Sequence, residues 1–198
     1  MKQAVLRVLT TALVAPIITS CSTLKVTSWS DPAFEGRALG KAIILGVAPN
    51  DTNRRRYEDL FAARLKEVGI DATTSYSLMP SKGKQSEDKV GQAVRQAQAD
   101  SVIVTRIVDE KQKLHFEPPV HYGGYYGYYS YGHTYYPGYA RTYMETLLET
   151  NLYDVESGKL VWTGQMVVTD EKPDKKTIKE VVTAQIKNWQ KAGMISEP

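Results

Sequence analysis

Six consecutive apolar residues, Ala42-Ile43-Ile44-Leu45-Gly46-Val47, set the terms for this chain. A continuous apolar run closed by Pro49 and Asn50 suits a strand buried on both faces of a parallel sheet, and such a strand requires helices on either side of it. The sequence supplies them. Asn50 or Asp51 caps a helix in which Tyr57, Phe61, Leu65 and Val68 fall on one face, with Gly69 placed to end it. Ile70 to Ser75 reads as a second short strand and Met79 to Gln85 as a loop. Ser86 opens a second helix with Val90, Ala93, Val94 and Ala97 on one compact face, and Ser101 to Val108 is a third, β-branched strand.

The second half changes character. From Thr142 to Asp154, Met144, Thr146, Leu148, Thr150 and Leu152 alternate with charged Glu145 and Glu149, the pattern of an antiparallel strand with one wet face. Glu156-Ser157-Gly158 makes the turn, and Leu160, Trp162, Gly164, Met166 and Val168 continue the alternation on a returning strand. Pro173-Asp174 starts a last helix carrying Ile178, Val181, Val182, Ile186 and Trp189 on one side, and Gly193 stops it. The expected fold is α/β: a mixed sheet in βαβαβββα order with three helices, forming one domain over residues 41–198.

A tyrosine- and glycine-rich insert, residues 117–140, interrupts this order. His121 to Tyr139 holds nine tyrosines and five glycines in nineteen residues, and neither a helical nor a strand period organises them. The tyrosines are Tyr122, Tyr125, Tyr126, Tyr128, Tyr129, Tyr131, Tyr135, Tyr136 and Tyr139. Each offers a flat ring and a hydroxyl at low entropic cost, which suits contact with a partner protein or a cell-wall polymer. The plainer alternative is a flexible low-complexity loop without a dedicated ligand.

The N-terminus is an address. Lys2 and Arg7 precede the apolar run Val8 to Ile18, whose eleven residues suit a signal-peptide core and fall well short of the roughly 20 needed to span a bilayer. Ile18-Thr19-Ser20-Cys21 follows, and Cys21 is the only cysteine, which excludes a disulfide scaffold. This segment resembles the lipobox of bacterial lipoproteins. The resemblance implies that residues 1–20 are removed as a signal peptide, that Cys21 carries a diacylglyceryl group and commonly an N-acyl chain, and that residues 21–40 form a lipidated tether. Within the tether, Lys25 to Trp29 reads as one edge strand. Ser22, where aspartate would signal retention on the inner membrane, implies the outer membrane, facing the periplasm.

Further resemblances concern the mature chain. Its element order is similar to the N-terminal domain of TolB. Ser28-Trp29-Ser30-Asp31-Pro32, the tyrosine-rich insert, and Leu152-Tyr153-Asp154 ahead of Ser157-Gly158-Lys159-Leu160-Val161-Trp162 resemble a group of envelope lipoproteins without a settled activity. The reading is a non-catalytic, lipid-anchored module for binding or assembly in the periplasm. The alternatives are a structural envelope component and, behind it, an enzyme with an unrecognised site. Ligand and oligomeric state stay open.

Charge and motif chemistry narrow the field. Loss of the leader leaves 23 basic against 22 acidic residues, so no overall field draws nucleic acid. Arg54-Arg55-Arg56 lies in the first turn of the first helix, where the macrodipole disfavours cations; Glu58 and Asp59 compensate four residues on, and the trio is a candidate anion contact. Gly83-Lys84-Gln85 lacks the earlier glycine and the Ser or Thr of a phosphate loop. His115, His121 and His133 with Glu117 have no regular ligand spacing, so neither metal nor cofactor is expected. Glu145 and Glu149, four positions apart on one strand, stand about 13 Å apart, too far for paired carboxylates in glycoside hydrolysis. No catalytic residues are assigned.

Overall fold

The computed structural model describes residues 24–34, 37, 39–79, 85–117, 120–122, 134–136, 139–170 and 174–195. In chain order, β1 (Val26–Ser30) and a single 3-10 turn (Pro32–Phe34) precede β2 (Ala42–Val47), α1 (Asp51–Glu67), β3 (Ala72–Thr74), α2 (Ser75–Leu78) and α3 (Glu87–Ala97). The second half holds β4 (Ser101–Glu117), β5 (Val120–Tyr122), β6 (Thr134–Tyr136), β7 (Tyr139–Asp154), β8 (Leu160–Asp170) and α4 (Lys175–Lys191). The fold is α/β. Six strands make one mixed sheet in the order β1-β8-β7-β4-β2-β3. β2 runs parallel to both β3 and β4, while the β4–β7, β7–β8 and β1–β8 pairs are antiparallel.

The apolar run behaves as a central strand should: Ala42, Ile43 and Ile44 are fully buried. Ile44 faces the larger core under α1 and α4, where Phe61 stacks on Trp189 with centroids 5.4 Å apart and Trp162 meets Trp189 edge-on at 5.4 Å. Ile43 faces the other way, onto the small residues Ala93 and Ala97 of α3, which let that helix lie close. Helix ends follow local chemistry. Asn50 accepts from the Thr52 and Asn53 backbone N–H groups at 2.9 and 3.2 Å, and Asp174 does the same for Lys176 and Thr177 at the start of α4. Gly69 and Gly193 follow α1 and α4 at φ +83° and +69°, which glycine adopts freely.

Several expectations need correction. The third strand does not stop at Val108: a register shift between Ile107 and Asp109 lets β4 continue to Glu117 against β7, which begins at Tyr139. The polar run Asp109 to Lys113 lies beyond the expected strand, yet the ladder holds it, with Lys113 ion-paired to Glu145 at 2.6 Å. The insert is therefore not without strand order. Val120–Tyr122 pairs with Thr134–Tyr136 in a separate two-stranded ladder, because the long β4–β7 hairpin brings its two arms together. The second strand is shorter than Ile70 to Ser75, because Ser75 to Leu78 coils into α2, a fourth helix among the described residues. The edge strand expected within the tether does form: β1 pairs with β8 over five residues at one edge of the sheet.

Candidate binding cleft

The three parallel strands fix where a site can form. The chain leaves β2 through α1 on one face toward β3, then returns through α3 on the other face to β4, so the helices diverge where β2 ends beside β4. Such switch points hold ligands in open α/β sheets. Here the carboxyl end of β2, the middle of β4, the first turns of α1 and α4, and β7 and β8 enclose a cleft of about 350 Å³. Its walls are largely apolar, with Val47, Pro49, Ile107, Leu148, Val168 and Ile178, while Asn50, Asn53, Arg106, Glu110, Thr146 and Thr177 also line it.

The base of the cleft is polar but self-contained. Tyr57 donates its hydroxyl proton to Gln185 Oε1 at 2.8 Å, and Gln185 Nε2 donates to Thr150 Oγ1. With Tyr57's single proton committed, Thr105 donates to the Tyr57 oxygen at 2.6 Å, and Thr150 in turn donates to Thr105 at 2.8 Å. The four groups form a closed ring in which each gives one hydrogen bond and receives one. Burial pushes the Tyr57 phenol well above its usual range, so it remains a neutral donor. Thr105 and Thr150 are direct cross-strand partners, whereas Tyr57 and Gln185 come from α1 and α4.

One lip of the cleft is held by Glu58, which is fully buried. Its carboxylate accepts from Gly46 N at 2.9 Å, Arg54 Nε at 3.1 Å, Ser75 Oγ at 2.7 Å and Tyr76 N at 3.1 Å. These bonds tie the end of β2, the first turn of α1 and the start of α2 to one side chain. Gly46 suits the tie, since a Cβ there would stand 3.4 Å from both Arg54 and Glu58.

The arginine trio is thereby divided. Arg54 turns inward to Glu58 and also donates to the Met79 carbonyl at 3.3 Å, while Arg55 pairs with Asp51 at 2.9 Å and lies over the Tyr76 ring. Arg56 alone of the three is exposed without sharing these contacts. Glu149 sits on the sheet face opposite the cleft. It accepts from Arg106 at 2.8 Å, Gln165 at 2.9 Å and Asn151 at 3.3 Å, and the Gln165 and Arg106 bonds hold its carboxyl below the usual range.

The remaining sequence candidates that are described do not line the cleft. Tyr122, Tyr135 and Tyr136 fall on the β5–β6 ladder, and Tyr139 stands at the start of β7, where Arg141 donates to its hydroxyl at 2.7 Å. Tyr125, Tyr126, Tyr128, Tyr129, Tyr131, His133, Gly83, Lys84, Cys21 and the leader lie outside the described residues. His115 and Glu117 occupy β4 and His121 occupies β5. Among the described residues, no group of three or more His, Cys, Asp or Glu is placed to hold a metal ion. No helix among them is long and apolar enough to cross a membrane.

Sequence reasoning missed the ring entirely. Thr105, Thr150 and Gln185 look ordinary in their own segments, and Tyr57 reads as one more apolar contact of α1. The available signal was two threonines and a glutamine at positions whose periodicity demands apolar residues.

No protein-family model matches the sequence, and no curated protein sequence does. Solved structures similar to the chain include the PelC dodecamer from Paraburkholderia phytofirmans, at 16% identity and a TM-score of 0.45 over 82% of this chain and 94% of that one. Another is the lipoprotein GNA1162 from Neisseria meningitidis, at 11% identity and a TM-score of 0.43 over 77% of this chain and 99% of that one. At such scores and identities, neither likeness bears on what this chain binds.

Proposed function

We propose that the protein is a non-catalytic lipoprotein of the cell envelope, held by a lipid on Cys21 at the outer membrane and facing the periplasm, where it serves as a binding or assembly module. The observation that carries this reading is the sole cysteine, placed behind Ile18-Thr19-Ser20 and an eleven-residue apolar run. Two or three acyl chains hold a soluble body firmly, because each buried methylene contributes about 0.8 kcal/mol. The apolar cleft supports a binding role, since its polar base is closed on itself and its walls favour hydrocarbon.

The tyrosines of the insert, which joins the two arms of the β4–β7 hairpin in the chain, belong to the same reading as a contact surface. That hairpin carries Leu114 and Phe116 at 72% and 63% exposure, which suits a surface that meets a partner. Arg54 and Arg55 are engaged internally, so an anion contact at this corner would rest on Arg56.

Mass spectrometry of protein from its native host tests the anchor: an N-terminal Cys21 bearing the diacylglyceryl mass is expected, and a bare thiol or a retained leader refutes it. Deletion of residues 123–138 tests the contact surface. The shortened protein should keep its thermal transition and lose a partner recovered with the full chain; an unchanged set of partners would favour a purely structural component.

A further inference from the structure

We infer that the cleft is the seat of one acyl chain of the protein's own Cys21 lipid; this rests on the lipoprotein reading above. The ligand class follows from the base of the cleft. Tyr57, Thr105, Thr150 and Gln185 satisfy one another, and among the described residues none of the buried side-chain polar atoms without a partner lines the cleft. The other polar residues of the lining include Asn50, Arg106 and Glu110, which are exposed, so a ligand with polar groups at the base of the cleft would lose its hydration there without replacement. A hydrocarbon chain has nothing to leave unsatisfied, and walls of Val47, Ile107, Leu148, Val168 and Ile178 match it.

The choice of occupant follows from where the N-terminal segment enters the sheet. β1 is antiparallel to β8, with Val26 beside Met166. Extending the register by two places sets Leu24 level with Val168, and Val168 is a wall of the cleft. Leu24 and Val26 both pack against the core under α1 and α4, so the chain enters on the face that carries the cleft. Three residue steps separate Leu24 from Cys21, at most about 11 Å of chain. An acyl chain crosses half of a hydrocarbon core of about 30 Å, and β8 lies only about 10 Å from β4, two strand spacings away. One chain on Cys21 therefore reaches the cleft while the others stay in the membrane, and two chains suffice to hold a protein there. Seated this way, the chain fixes the cleft end of the domain against the lipid surface.

The test uses the full-length protein in growing cells supplied with a palmitate analogue carrying a diazirine. After irradiation, proteolysis and mass spectrometry locate the bonds made by the Cys21 lipid. Bonds within one polypeptide to segments containing Val47, Ile107, Leu148, Val168 or Ile178 are expected. Leu148→Trp, which fills the cleft from the sheet side, should reduce them several-fold while Cys21 remains acylated and the thermal transition is kept. Val181→Phe fills it from the helix side and takes its place if Leu148→Trp fails to fold. An acylated Cys21 whose chains bond only to phospholipid overturns the inference. So do cleft bonds that come from phospholipid instead of Cys21, or that persist in both filled variants. Absence of the analogue from Cys21 before irradiation refutes the lipoprotein reading itself, and the inference falls with it.

Discussion

Replacing Glu58 by alanine tests whether one buried carboxylate holds the cleft's lip. The change removes an acceptor of four hydrogen bonds and leaves the Arg54 guanidinium, itself only 7% exposed, with a distant Asp51 at 3.8 Å and the Met79 carbonyl. Breaking a buried ion pair from one side costs about 3–5 kcal/mol. For a domain of this size each kcal/mol corresponds to about 2–4 °C, so Tm should fall by about 10 °C, measured by circular dichroism or calorimetry. Glu58→Gln should lose less, about 1–3 kcal/mol, because its oxygen can still receive Gly46, Arg54 and Ser75 while its amide opposes the Tyr76 N–H. The double replacement Arg54→Met with Glu58→Leu removes both charges and should be less destabilised than Glu58→Ala alone. A Glu58→Ala Tm within 2 °C of the parent, an arbitrary but strict margin at about 1 kcal/mol, would refute the account of Glu58 as the tie between β2, α1 and α2.

Other consequences are open to measurement. Tyr57→Phe deprives Gln185 of its donor and Thr105 of its acceptor and should cost about 1–3 kcal/mol; pairing it with Gln185→Leu should cost less than the sum of the two, read by urea denaturation. Trp189→Ala empties the centre of the Phe61–Trp162 cluster and should cost about 3–5 kcal/mol, with loss of the near-ultraviolet aromatic signal. Glu149 has a lowered folded pKa, so its contribution is present above the unfolded carboxylate range near pH 4.3 and is lost as pH falls through the folded value. Glu149→Gln should accordingly flatten the acid limb of a stability–pH curve and leave its neutral plateau parallel to the parent's. At Gly164 a Cβ would overlap the Trp162 indole, so Gly164→Ala should shift tryptophan emission and lower Tm.

The parts of the fold legible in the sequence were those where one residue's neighbours along the chain decide its environment. The Ala42–Val47 run, the Tyr57-Phe61-Leu65 stripe and the Thr142–Asp154 alternation all report a face, and the structure assembles those faces as the periodicity demands. The extension of β4 through Asp109 to Glu117 was hidden because its stability comes from cross-strand partners such as Glu145, not from its own hydrophobicity. The ring was hidden more deeply: Tyr57 and Gln185 are 128 positions apart, and a polar residue at a core position gives no hint of who will satisfy it. The arginine trio shows the opposite failure, since three like residues in a row look like one feature while the helix points them in different directions.

β1 carries a mechanical consequence. Its five rungs to β8, from Val26 opposite Met166 to Ser30 opposite Trp162, stand between the start of the described chain and the rest of the body. Tension drawn along the strand from its N-terminal end would load all five rungs together in shear, whereas a sideways tug would unzip them singly from Val26. Drag acting parallel to that edge would thus be borne by the whole ladder at once, and only a force across it would find the seam.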